Sequence, residues 1–156
     1  MPESPDVLAR YALEIFTKIL ILELDVDPTV GQLSDHLDLH DGEELERAFK
    51  CAEIALNNDL LRMHGPQTSR IPGRIVVTRS VGEAGNVDAI VDAVKTFDNF
   101  TEGNDPHHQH DFGAFEIDGE RYFFKIDYYD KEVTYGVDPM EEEPFRVMTI
   151  MRADEY

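Results

Sequence analysis

The chain has 156 residues, 42% of them hydrophobic, with 33 acidic side chains against 14 basic ones and a net charge of −19. That is material for one domain, or two very small ones, with a real core. The charge repels nucleic acid and anionic membrane, and no apolar run approaches the ~20 residues of a membrane span. Three readings of the acidic excess remain open: solubility, adaptation to high salt, and mimicry of nucleic acid. In the third, spaced carboxylates occupy a protein's DNA- or RNA-binding groove. The start, MPESPDV, has no basic region followed by an apolar stretch, so a cytoplasmic protein is expected. A single cysteine, Cys51, excludes an internal disulfide and a four-cysteine zinc site, and its apolar helical position predicts a buried structural thiol.

Residues 1–72 read as a helical region. Val7, Leu8, Tyr11, Ala12, Ile15, Phe16, Ile19 and Leu20 recur at three-and-four spacing and predict a first helix over about 5–24, ended by Asp27-Pro28. Thr29 caps a short second helix with Val30, Leu33 and Leu37. Asp41 or Gly42 opens a third, with Leu45, Phe49, Ala52, Ile54, Ala55, Leu56 and Leu60 on its apolar side, followed by a linker or long loop over 64–73. Three helices and then a strand resemble a winged-helix arrangement, with a plain helical scaffold an equal alternative. The third helix carries Glu43, Glu44, Glu46, Glu53 and Asp59 against Arg47 and Lys50, the wrong sign for phosphate, so this module is expected to bind protein.

Residues 73–156 read as an α+β domain: an antiparallel sheet with one packed helix. RIVVT at 74–78 is a strand, and Asn86 caps a helix over 87–97 with Ile90, Val91, Val94 and Phe97 on one face. DFGAFEI and RYFFKIDYY flank Asp118-Gly119, a strong hairpin signal, and FRVMTIMRA at 145–153 is a third long strand. Glu141, Glu142 and Glu143 form an acidic run in the loop before Pro144, which joins the glutamates of the third helix as a candidate partner-binding surface.

The segment NDPHHQHDFG, residues 104–113, is the chemical focus. Asp105-Pro106 suits the start of a helical turn, in which His107 and His110 share a face and Asp111 begins the strand. Two imidazoles and a carboxylate could hold zinc or iron, the only cofactor class the sequence suggests. Equally, His110 could be a general base oriented by Asp111 or Asp127. The third reading is a well-capped turn. The spacing matches no metal signature, and neither G-x-S-x-G nor a phosphate-binding glycine loop occurs. Alternation in YFFKIDYYD puts Lys125 and Asp127 on one face with Phe123 and Tyr129, as a cross-strand ion pair or as support for the histidine turn.

FDNFTEGNDPHHQHDFGAF, FFKIDYYD and RVMTIMRADEY, in that order, resemble an uncharacterised bacterial family, domain of unknown function 3768, over residues 74–156. The family pattern carries Asn104, Asp105, Pro106, His107, His110, Asp111, Phe112 and Gly113, then Lys125 through Asp130. Where the family tends to have Gly-Glu, this chain has His108-Gln109, which weakens a role for His108 and removes a carboxylate. The resemblance implies a small protein associated with plasmids or other mobile elements, and no activity.

Together these observations lead to one expectation and one competitor. The expectation is a non-enzymatic, acidic interaction protein that blocks a basic nucleic-acid-binding machine, such as a CRISPR effector or a restriction enzyme. A homodimer is compatible with it. The competitor is a small metal-dependent or acid–base hydrolase using His107, His110 and Asp111, with Lys125 and Asp127 in support.

Overall fold

The computed structural model describes residues 42–156. The predicted helices at 5–24 and from 29 lie outside the described residues. The described residues are α+β: three helices and a four-stranded mixed sheet. Helix α1 covers Gly42–Ser69 of the described residues. It runs on through the segment read as a linker, broken only at Gly65 (φ 76°, ψ 167°). Pro66 cannot continue the i→i−4 ladder, and glycine tolerates the left-handed backbone that the break needs. The last turn restarts beyond it, with the Arg70 N–H donating to the Pro66 carbonyl at 3.0 Å.

Strand β1 (Gly73–Val77), helix α2 (Arg79–Glu83) and helix α3 (Val87–Lys95) follow, then β2 (Phe112–Ile117), β3 (Glu120–Tyr129), β4 (Phe145–Arg152) and a closing 3-10 turn, Ala153–Glu155. The β2–β3 hairpin closes through Asp118 (φ 52°) and Gly119 (φ 80°), the two positive φ values of a type I′ turn. Strand order is β1-β4-β3-β2. The hairpin and β3–β4 are antiparallel, but β1 runs parallel to β4. The expectation of a purely antiparallel sheet is therefore corrected. Two helices and the hairpin intervene between β1 and β4, and only so long a crossover lets a chain return in the same direction. The strand that would have been a wing belongs to this sheet, so a winged-helix arrangement is not seen among the described residues. Nor does a single helix pack on the sheet, because α1 contacts β1 and α3, α2 contacts β4, and α3 contacts β2.

One face of the sheet makes the core. Tyr122, Phe124, Ile126, Met148 and Ile150 meet Val81 of α2 and Ile90 and Val94 of α3. Alternation sends Phe123, Lys125 and Asp127 to the other face. Helix α1 presents Ala48, Ala52 and Ala55 inward, small enough to bring its backbone close, then Asn58, Leu61 and Arg62. Two polar residues on that stripe need partners. No helix among the described residues is long and apolar enough to cross a membrane.

Candidate functional site

The NDPHHQHD turn supplies those partners. Asp105 is buried, and its Oδ1 accepts the backbone N–H groups of Gln109 (3.0 Å) and His110 (3.1 Å). This is a capped turn, but not the helical turn expected. His108 (φ 54°) and His110 (φ 56°) are left-handed, a conformation that costs non-glycine residues about 1–3 kcal/mol each. The two amide bonds to Asp105 offset that cost. In consequence His107 is exposed while His110 turns inward. His110 lies face to face with Phe100, ring centroids 3.9 Å apart, and its Nδ1 is 2.9 Å from Asp59 Oδ2 of α1. Asp105 Oδ2 lies 3.7 Å from its Nε2.

Around this pair the buried polar side chains of α1 bond both to backbone carbonyls and to other side chains. Arg62 donates to Asp59 Oδ1 (2.8 Å) and to the carbonyls of Val94 (2.8 Å) and Phe97 (2.9 Å), in the last turn of α3 and just beyond it. Asn58 is fully buried and donates through Nδ2 to the Gln109 carbonyl and the Tyr128 hydroxyl, both at 2.8 Å. Its Oδ1 accepts from Arg146 Nε at 2.8 Å, and Arg146 Nη1 reaches Glu143 at 3.1 Å. Residues 88 positions apart are thereby fastened together.

Asp111 stands beside this network, 3.5 Å from the Tyr128 hydroxyl. Burial, and then the nearby Asp105 carboxylate, push its carboxyl above the usual carboxylate range, while its own backbone N–H, His107 and Tyr128 pull the other way. Burial likewise pushes the Tyr128 phenol well up. Among the described residues no three His, Cys, Asp or Glu side chains come together as a metal-ligand set, so His107, His110 and Asp111 do not converge as such a group. Lys125 and Asp127 form an ion pair at 3.0 Å, in which Asp127 raises the Lys125 ammonium, on the sheet face opposite Tyr128 and the network.

The acidic candidates fall in two places. Glu43 and Glu44 belong to α1. Glu46 is exposed, and Glu53 pairs with Lys50 at 3.5 Å. Glu141, Glu142 and Glu143 are exposed in the loop before β4. Cys51 is half-buried rather than sealed in the core, and its Sγ meets Met140 Sδ at 3.8 Å. That contact seats the acidic loop alongside the first half of α1. Burial pushes the Cys51 thiol up.

Sequence reasoning missed Asn58, Asp59, Arg62, Phe100 and Arg146. The available signal was Asn58 and Arg62 at helical spacing from Ala52 and Ala55, polar residues on an otherwise apolar stripe.

An α+β domain with an acidic exterior, pinned internally by a paired Asp–His and Asn–Arg network, is what the fold and site define. The family described as "Protein of unknown function (DUF3768)" matches over residues 77–155, half of the chain, and the chain belongs to it. No curated protein and no solved structure matches the chain.

Proposed function

We propose that this protein is a non-enzymatic, acidic interaction module of the cytoplasm whose partner is a basic nucleic-acid-binding protein. The histidine turn is then a structural clamp, and the working surface is carboxylate. One observation carries the reading. The Cys51–Met140 contact seats the loop with Glu141–Glu143 against the stretch of α1 that carries Glu46 and Glu53, two acidic segments remote in sequence. Meanwhile Asn58, Arg62 and Asp105 of the turn's network are spent on internal bonds. Binding by such a surface is driven by charge, so it weakens as salt rises and the screening length contracts to ~8 Å near physiological ionic strength. A mobile-element inhibitor of a CRISPR effector or restriction enzyme is the specific form we favour. The test is titration of such an effector with the protein at two salt concentrations, read as loss of its DNA binding. Inhibition that fades with salt supports the reading, and none at low salt defeats it.

A second reading, acid–base catalysis, is favoured by Asp59 at His110 Nδ1, an arrangement that fixes an imidazole's tautomer. Hydrolysis of simple ester or phosphoester probes that disappears in Asp59→Asn would support it. Lys125 and Asp127, on the far face, have no part in it.

A further inference from the structure

Among the described residues the sheet ends on β1, and none of them hydrogen-bonds to its outer edge. The Arg146 N–H donates to the Pro72 carbonyl and the Thr78 N–H to the Ile150 carbonyl, both at 3.0 Å. In a parallel ladder, alternate residues turn both backbone groups to one neighbour. Pro72, Arg74, Val76 and Thr78 therefore face β4, and Gly73, Ile75 and Val77 face outward. No hydrogen bond of the described residues reaches those outward groups. Val76 (37% exposed) and Val77 (39%) are among the few large hydrophobic side chains left on the surface. A bare edge with exposed valines is a template for another strand.

We infer that β1 pairs, antiparallel and about a two-fold axis, with β1 of a second copy of this chain. With the axis at Ile75, Ile75 pairs with itself and Gly73 with Val77, so every outward N–H and C=O of the strand is used. Shifting the axis to Val76 would set Gly73 against Arg79, which lies in α2, and would lose that pairing. Shifting it to Arg74 would set like charges opposite each other, which is destabilising. In the Ile75 register Arg74 faces Val76 of the other copy, and its aliphatic stem can cover the exposed methyl groups. The opposite edge, β2, suits self-pairing less, since Glu116, Asp118 and Glu120 crowd its hairpin end. A short strand pair is a small interface, and two bodies of −19 repel. The dimer is therefore weak at low salt and tightens as salt screens that repulsion, the reverse of the salt dependence expected for the carboxylate surface.

Analytical ultracentrifugation of the full chain, with hydrogen exchange at the Ile75 and Val77 amides, tests this. From about 50 mM to about 0.5 M NaCl, self-association should strengthen by about tenfold, with exchange at both amides slowing as protein concentration rises. At fixed salt, Val76→Glu, which faces Arg74 of the other copy, should tighten the dimer, and Val76→Arg should loosen it. Both substitutions are at an exposed position, and unchanged melting temperatures would show that the fold is kept. A monomer under all conditions would overturn the inference, as would a dimer whose edge amides stay unprotected or one that both variants shift the same way. Edge protection by an added peptide of alternating valine and glutamate in a chain that stays monomeric would also overturn it, assigning the edge to a foreign strand.

Discussion

Replacing Asn58 by alanine tests the network most severely. The side chain is fully buried and satisfies three groups at 2.8 Å: the Gln109 carbonyl, the Tyr128 hydroxyl and Arg146 Nε. Alanine takes one partner from each of them. An unsatisfied neutral group costs about 1 kcal/mol or more and a charged one about 2, so the loss is about 4 kcal/mol. Tyr128 keeps Asp111, and Arg146 keeps Glu143, which hold the sum below the upper bound. Against a total stability of about 5–15 kcal/mol this is a large fraction. With a urea dependence of about 2 kcal/mol per molar, the unfolding midpoint should fall by about 2 M. The neighbouring Asn57→Ala, outside the network, should change stability by less than about 0.5 kcal/mol. A fall for Asn58→Ala no larger than that control would refute the claim that this residue fastens α1 to the turn and the sheet.

Other substitutions read the rest of the site. His110→Ala removes the Asp59 bond and the Phe100 stack and should cost about 2 kcal/mol in a thermal melt, whereas the exposed His107→Ala should be near neutral. Because the folded-state carboxyl of Asp111 is raised, chiefly by burial, its contribution to stability is fully present below its unfolded pKa and is lost as pH rises through the folded value. Asp111→Asn should therefore raise the melting temperature at neutral pH, and the gain should vanish at acid pH. A gain independent of pH would contradict the assignment. Gly113→Ala would drive a methyl group into the Phe124 ring and to 2.8 Å from Phe97 Cε1, and should destabilise by about 1–3 kcal/mol in denaturant titration.

Local signals in the sequence sufficed for much of the fold. Asp118-Gly119 between alternating runs marked the hairpin, and the strands begin and end within about a residue of where alternation placed them, because a half-buried strand must alternate. What failed was non-local. The parallel pairing of β1 with β4 depends on a crossover through two helices that no short window contains, and the turn at 105–110 was misread as helical because its left-handed residues are histidines. The candidate site was half visible. His110 and Asp111 stood out, but Asp59, Asn58 and Arg146 look like ordinary polar residues until the fold buries them against each other.

In the proposed function, carboxylates of α1 and of the loop before β4, not the histidine turn, engage a cationic nucleic-acid-handling protein. The most direct measurement is low-salt binding to such a partner by three forms: the wild type, a variant with Glu141, Glu142 and Glu143 changed to glutamine, and His107→Ala. The account predicts that the wild type and His107→Ala bind alike while the glutamine variant loses most of its affinity. Equal binding by the glutamine variant, or loss confined to His107→Ala, would contradict it.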